Sequence, residues 1–130
     1  MAHRIISTEE APAAIGLYSQ AALTETTLYC SGQLGIRPET GELEPDVESQ
    51  TRQAFRNLLA VAQEAETSLA DVAKLTIFLT SMDDFAVVNT VMGEFITPPY
   101  PARSCVAVAA LPKGALVEIE AIIDRVGVAV

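Results

Sequence analysis

Histidine and lysine are nearly absent from this sequence of 130 residues. The single histidine, His3, lies close to the amino terminus, which argues against a Ser-His-Asp triad, a Cys-His pair and any histidine-based metal site. The lysines are Lys74 and Lys113, and Lys113 falls in a predicted turn, which argues against a Schiff-base role. Catalysis by this chain must therefore use arginine, carboxylates, tyrosine, serine, cysteine or backbone groups.

Several other signatures are missing as well. Neither G-x-x-x-x-G-K-[ST] nor G-x-G-x-x-G occurs, so nothing supports a nucleotide site. The two cysteines, Cys30 and Cys105, form no C-x-x-C pair and are expected to be reduced thiols of a cytosolic protein. No apolar run has the length of a signal-peptide core or a membrane span. We therefore expect a soluble cytoplasmic protein with no membrane partner and no metal site.

The charge balance is acidic. The chain has 8 basic and 17 acidic residues, for a net charge of −9. Its basic residues are scattered, whereas contacts to nucleic-acid phosphates need clustered lysine and arginine, so no nucleic-acid partner is expected. Half of the residues are apolar and few are aromatic, which predicts one domain over residues 1–130 with an aliphatic core. The surplus of apolar surface favours self-association.

The periodicity of apolar residues predicts an α+β layer. Strands are expected over residues 3–7, 17–23, 27–34, 71–80, 102–110 and 116–126. A first helix is expected from Pro45 and Asp46 to Ala65, and a second from a capping box at residues 81–84 to the proline-rich stop at 98–101. This order places both helices on one face of the sheet, and another copy of the protein is the simplest cover for the other face.

The most informative segment is residues 100–110, where Arg103 interrupts an apolar run that reads as a buried strand. A guanidinium keeps its charge, so a buried one needs an anion. One interpretation is a structural pair with Glu118 or Glu120, and the other is a ligand carboxylate, which an arginine can bind through two parallel hydrogen bonds. The residues of this segment leave both interpretations open.

Glu118 and Glu120 alternate with apolar residues, so both carboxylates are expected on one face of the last strand. They are either solvated side chains or, in a partly dry cleft, a group that positions a water molecule or accepts its proton. In a tight hairpin of the last two strands, Glu118 would lie roughly 16 Å along the sheet from Arg103. Either these strands are not neighbours, or the two residues meet across a subunit boundary.

Four more positions have both a structural and a functional interpretation. Gly32 lies within a predicted strand, where glycine marks a bulge or the close approach of a ligand or backbone. Tyr18, expected on the same strand face as Gln20, is either a buried tyrosine or a ligand contact. Asn89 is either a surface amide or a group that orients a pocket residue. Cys105 has no histidine nearby to form a thiolate, so its backbone N–H is the more credible contribution.

Five short segments form an ordered series along the chain. They are residues 11–21 (APAAIGLYSQA), 31–34 (SGQL), 84–89 (DFAVVN), 101–106 (PARSCV) and 117–122 (VEIEAI). In this order, and with no large gap in the match to the family, they resemble the reactive intermediate deaminases, the Rid or YjgF-type family. The resemblance extends over essentially the whole chain.

This resemblance implies a chorismate-mutase-like α+β fold, with a mixed six-stranded sheet and two helices on one face. It also implies a homotrimer with a barrel-like core and ligand sites in the clefts between subunits. The implied activity is hydrolysis of 2-imino acids (2-iminopropanoate and 2-iminobutanoate, tautomers of enamines such as 2-aminoacrylate) to 2-keto acids and ammonia, without a cofactor. The implied partner is thus a small 2-imino or 2-keto acid.

The resemblance further implies roles for individual residues. Arg103 would hold the substrate carboxylate, and Glu118 would hold the attacking water. The other residues implied to line the site are Tyr18, Ser31, Gly32, Asn89 and Cys105, the last acting through its backbone. A protonated imine is already electrophilic, so the protein need only orient it and one water molecule.

Two other functions are alternatives to the hydrolysis of 2-imino acids. One is a binding module that senses 2-keto acids at the same anion site without turnover. The other is a ribonuclease or translation inhibitor, a label sometimes attached to the family, which the acidic charge and the lack of a histidine pair disfavour.

Overall fold

A computed structural model describes residues 3–125 as a six-stranded sheet with two α-helices. The strands are β1 (Arg4–Ile6), β2 (Ala21–Leu23), β3 (Thr27–Leu34), β4 (Val72–Leu79), β5 (Ala102–Ala107) and β6 (Val117–Asp124), and the helices are α1 (Val47–Glu64) and α2 (Phe85–Phe95). The strand order is β1-β2-β3-β6-β4-β5, antiparallel except for the parallel pair β4 and β5. The predicted α+β class and mixed sheet are confirmed.

The first helix begins where its sequence indicates. The Asp46 side chain accepts a hydrogen bond from the Ser49 backbone N–H at 2.8 Å, and the Ser49 hydroxyl oxygen accepts one from the Asp46 N–H. This reciprocal cap satisfies two backbone donors that the helix itself leaves unpaired. The apolar side of α1 is fully buried against the sheet: Ala54, Phe55, Leu58, Val61 and Ala62. Helix α1 therefore follows from local signals and burial together.

The start of the second helix differs in detail from the prediction. Ser81 caps a short 3₁₀ turn, Met82–Asp84, by accepting a hydrogen bond from the Asp83 N–H at 3.1 Å. Helix α2 then begins at Phe85, and the side chain of Asp84 makes no capping hydrogen bond. Ser81 thus caps the 3₁₀ turn and not the helix itself, and this turn continues directly into α2.

The second strand is shorter than predicted, because residues 12–20 form a loop. Gln20 is only 3% exposed. Its side-chain amide forms hydrogen bonds with the backbone of residues 8–12, and these bonds hold the loop. The amide accepts from the Thr8 N–H at 2.7 Å and donates to the carbonyls of Thr8, Ala11 and Pro12 at 3.0, 3.3 and 2.8 Å. The expectation that Tyr18 and Gln20 share a strand face is wrong, since β2 begins only at Ala21.

Strand β4 lies between the last two strands of the chain, so β5 and β6 are not neighbours. Of the two alternatives raised by the hairpin distance, the first is confirmed. The expectation of a buried strand around Arg103 is wrong for this chain, because β5 is an edge strand and most of its residues, Arg103 included, are exposed. Small apolar residues are compatible with either a central or an edge strand, so composition alone could not separate the two.

The helices pack on the face of the sheet that carries Leu75, Ile77 and Leu79, all of them buried. The opposite face, here called the outer face, exposes large apolar side chains: Ile5, Tyr29, Val106 and Ile122. These exposed side chains agree with the surplus of apolar surface that the composition predicts. Within the described residues, neither helix combines the length and the apolar character that crossing a bilayer requires.

Candidate functional site

A groove of about 760 Å³ lies along the outer face, between the loop of residues 12–18, the turn of residues 36–41 after β3 and the turn of residues 112–113 before β6. Its walls combine apolar side chains with a few polar ones. Four of the predicted site residues line it: Tyr18, Ser31, Gly32 and Glu118. Glu120 and Lys113 also contribute to the groove. The other three, Arg103, Asn89 and Cys105, lie elsewhere.

A β-bulge at Ser31 and Gly32 shapes the floor of the groove. Cys30 pairs with Ala121 and Gln33 with Ile119, so β3 carries one extra residue between these pairs. A Cβ atom on Gly32 would lie 2.8 Å from Cδ of Glu118 and 3.1 Å from its Oε2. Glycine at this position therefore leaves space for the Glu118 carboxylate. The predicted bulge at Gly32 is confirmed, whereas the group that approaches it closely is a side chain and not the backbone or ligand of the other interpretation.

Ser31 ties the bulge to the loop that carries Tyr18. Its hydroxyl donates to the Ser19 carbonyl at 2.6 Å, and its backbone N–H donates to the Gln20 carbonyl at 2.9 Å. Gln20 in turn holds the backbone of residues 8–12. Tyr18 is 52% exposed on the groove wall and is not the buried tyrosine that one interpretation favoured.

The two glutamates of β6 share one face of the strand, as predicted, and that face is the outer face. Glu118 pairs with Phe78 and Glu120 with Thr76, both half-buried outer-face residues of β4. Burial in the groove raises the pKa of Glu118, and the negative charge of Glu120 raises it further. A carboxyl group with a raised pKa accepts a proton more readily, which suits a group that activates water.

Arg103 is held by one face of helix α2. Its Nη1 donates to Oδ1 of Asn89 and lies 3.7 Å from Sδ of Met92. Its guanidinium carbon lies 5.2 Å from the centroid of the Phe85 ring. Within residues 3–125, Arg103 forms no ion pair and its Nε and Nη2 donate no hydrogen bond. The alternative of a structural pair with Glu118 or Glu120 is therefore not realised in the chain.

The register of β4 shows why the arginine and the glutamate do not meet. Arg103 pairs with Leu75, which faces the helices, whereas Glu118 pairs with Phe78 on the outer face. Paired residues in a sheet point to the same side. One copy of the chain thus carries two separate parts. We call them the groove half (Tyr18, Ser31, Gly32 and Glu118) and the arginine half (Arg103, Asn89 and Cys105).

Neither cysteine is an activated nucleophile. Both are free thiols, as expected. Burial raises the pKa of Cys30 to about 12. Burial also raises the pKa of Cys105, although the positive charge of Arg103 opposes the shift. Cys105 pairs with Ile77 and faces the helices beside Arg103, so it stays a neutral thiol near neutral pH.

Sequence reasoning missed two structural contributors to these halves. Phe85 is not among the predicted site residues, yet its ring lies against the Arg103 guanidinium. Gln20 was noted for its neighbour Tyr18, yet its buried amide shapes the wall of the groove. For Gln20, the sequence offers one signal: a polar side chain that stands among small residues just before a strand. Among the described residues, no group of three or more histidine, cysteine, aspartate or glutamate side chains could hold a metal ion.

Known proteins resemble this chain over most of its length. The sequence model of the family described as Endoribonuclease L-PSP matches residues 8–124. The RutC family protein y4sK of Sinorhizobium fredii is 50% identical over 120 residues, which cover 92% of this chain and 95% of that protein. A goat (Capra hircus) protein named 2-iminobutanoate/2-iminopropanoate deaminase is 46% identical over 123 residues, or 94% of this chain and 90% of that protein.

A solved structure agrees with the fold. The crystal structure of TdcF from Escherichia coli with bound serine superposes with a TM-score of 0.90 at 42% identity, covering 94% of this chain and 98% of that one. The neighbour therefore binds a small amino acid in its crystal. Taken with the matched residues 8–124 and the ordered motifs, these likenesses show that the chain belongs to the Endoribonuclease L-PSP family, the Rid or YjgF-type family that its motifs indicate.

Proposed function

We propose that this chain is a hydrolytic deaminase of reactive 2-imino acids. The observation that carries the proposal is the Arg103 guanidinium, which α2 holds through Nη1 while Nε and Nη2 stay open among the described residues. That edge presents two parallel donors, the geometry that binds a carboxylate. The deaminase name of relatives such as the goat protein supports the same reaction class.

The reaction adds one water molecule and releases one ammonia. Arg103 binds the substrate carboxylate, and Glu118 orients a water molecule and accepts its proton as the oxygen bonds to C2 of the protonated imine. The carbinolamine nitrogen takes this proton from Glu118. The hydroxyl then gives its proton to Glu118 as the C–N bond breaks, and a 2-keto acid leaves with ammonia, which takes up the proton from Glu118. Tyr18, Ser31, Gly32, Asn89 and Cys105 line the site. Because the imine is electrophilic, orientation supplies most of the acceleration, and no cofactor is required.

The two halves meet if copies of the chain assemble. Arg103 and Glu118 face opposite sides of the sheet, so the arginine half of one copy must join the groove half of another. Strand β5 offers an exposed edge, and the outer face offers exposed apolar side chains for such a contact. We propose a homotrimer with its sites between subunits, which the family resemblance also implies.

A coupled assay tests the proposal. A pyridoxal-phosphate threonine dehydratase generates 2-iminobutanoate, and its disappearance is followed by absorbance with and without this protein. A charge-assisted pair contributes on the order of 1.5–3 kcal/mol, so Arg103→Ala should slow imine hydrolysis by about 10- to 150-fold. Arg56→Ala, which removes an exposed arginine of α1, is the matched control and should retain full activity. Full activity in Arg103→Ala would overturn the site assignment.

A binding module without turnover is the second candidate. The bound serine in the TdcF crystal favours it, because serine has no imine to hydrolyse. This function predicts saturable binding of 2-oxobutanoate, with no faster loss of 2-iminobutanoate at catalytic protein concentrations. The same coupled assay separates the two functions.

The family description also names an endoribonuclease. The net charge of −9 disfavours RNA binding, and a single histidine excludes a histidine pair for acid–base cleavage of RNA. RNA cleavage that persists through stringent purification and disappears in Arg103→Ala would reinstate this function.

A further inference from the structure

We propose that Phe85 is a positioning residue that fixes the plane of the Arg103 guanidinium and so presents its Nε–Nη2 edge to an incoming carboxylate. The inference rests on the proposed role of Arg103 as the carboxylate-binding residue. It adds to that role a residue that touches neither the substrate nor the reacting water.

The geometry places three contacts to Arg103 on one stripe of α2. Phe85, Asn89 and Met92 stand at positions i, i+4 and i+7, which share one side of a helix. The Phe85 ring lies 5.2 Å from the guanidinium carbon, Asn89 accepts from Nη1, and the Met92 sulfur lies 3.7 Å from Nη1. Both polar contacts thus involve Nη1, and the Phe85 ring packs against the guanidinium carbon.

An edge arginine needs such support. Within residues 3–125, strand β5 has a neighbour on one side only, and Arg103 is exposed, so its long side chain has many rotamers available. The contacts to Asn89 and to the Met92 sulfur both engage Nη1, so they leave the opposite edge of the guanidinium free to turn about that end. An aromatic ring attracts a cation to its face and removes this freedom, which lowers the ordering cost when a carboxylate binds.

Phe85 also packs against the hydrophobic core, so its replacement has a structural effect as well. Phe95 supplies a matched control on the same helix. Its ring stacks on Phe55 at 5.2 Å, and it makes no contact with Arg103 among the described interactions. Phe85→Leu and Phe95→Leu make the same chemical change, but only the first removes a ring from the guanidinium.

The experiment measures the affinity for 2-oxobutanoate and the Nε–Hε NMR signal of Arg103 in each variant. Loss of a partly exposed cation–π contact should weaken binding by about two- to fivefold in Phe85→Leu and should broaden the Nε–Hε signal. Phe85→Tyr, which keeps the ring face, should restore both. Phe95→Leu should lower Tm and leave both readouts unchanged.

The outcomes separate this inference from the proposed function. If Arg103→Ala binds 2-oxobutanoate as tightly as the wild type, the proposed function fails and the inference fails with it. If Arg103→Ala loses binding while Phe85→Leu keeps wild-type affinity and a sharp Nε–Hε signal, only the Phe85 inference is overturned. The same holds if Phe95→Leu weakens binding as much as Phe85→Leu.

Discussion

The groove half and the arginine half are constructed by different means. In the groove half, a buried amide and backbone hydrogen bonds set the shape: Gln20 binds the backbone of Thr8, Ala11 and Pro12, Ser31 binds the loop, and Gly32 leaves room for Glu118. In the arginine half, the hydrogen bonds and the ring contact that hold the exposed Arg103 side chain all come, among the described residues, from side chains of α2. Hydrogen bonds to the backbone of the same copy therefore shape the groove half, whereas the arginine half exposes a positive charge to solvent.

This difference indicates how a small acidic protein can keep an arginine available. A cation placed beside Glu118 in the same chain would pair with it and lose its open edge. The sheet register prevents that pairing, because Arg103 and Glu118 point to opposite faces. Each half keeps its functional group unpaired until another copy supplies the other half, if the proposed assembly forms.

The largest expected effect comes from mixing two slow variants, each impaired in a different half. Arg103→Ala keeps an intact groove half, and Glu118→Gln keeps an intact arginine half. If each site combines halves of two subunits, random mixing of equal amounts should place both native residues in about a quarter of the sites. Co-refolded mixtures should then recover about a quarter of the wild-type rate of imine hydrolysis. A mixture no more active than its parents would mean that the halves do not meet between copies.

Gly32→Ala should damage the groove half without unfolding it. The new Cβ would lie 2.8 Å from Cδ of Glu118, so the flexible carboxylate must move while the backbone stays in place. A displacement of this size should slow imine hydrolysis by about 10- to 100-fold with little change in Tm. Gly93→Ala is the control, since its Cβ meets nothing within 4 Å. That change should retain activity and stabilise α2 by roughly 0.5–1 kcal/mol.

Gln20→Leu should loosen the wall of the groove half. The substitution leaves the Thr8 N–H and the carbonyls of Ala11 and Pro12 without their buried partner. Unpaired buried polar groups should reduce the free energy of unfolding by about 2–3 kcal/mol, as measured by urea denaturation. Hydrogen exchange should accelerate at residues 8–18 and stay unchanged in α2. Equal acceleration in both regions would contradict the separate construction of the halves.

Glu118→Gln should produce the smallest effect, on stability. Because the pKa of Glu118 is raised in the folded protein, its ionised form is disfavoured there, and its stabilising contribution is lost as pH rises through the folded pKa. The neutral glutamine avoids this loss and should raise Tm at pH 7 by no more than about 3 °C. The gain should fade as pH falls below about 4, where glutamate is protonated in both states. Scanning calorimetry at both pH values gives the comparison, and a gain at pH 4 equal to that at pH 7 would contradict it.

Local signals predicted the elements that depend on neighbouring residues. Strand β3 has the predicted bounds, α1 begins at its Asp46 cap, and Glu118 and Glu120 share a face as their alternation required. The prediction of the second strand failed because contacts between residues distant in sequence determine the conformation there. A loop held by the Gln20 amide replaces the start of the predicted second strand, because the partners of that amide lie 8 to 12 residues away.

By itself, the sequence determined the α+β class, the family and the residues that are candidates for the site, because residue periodicity and ordered motifs can be recognised without knowledge of long-range contacts. Only the tertiary structure decided that β4 lies between β5 and β6, and hence that Arg103 is an exposed edge residue on the face opposite Glu118. Strand order is set by long-range packing of the whole sheet on its helices, and no local pattern records it.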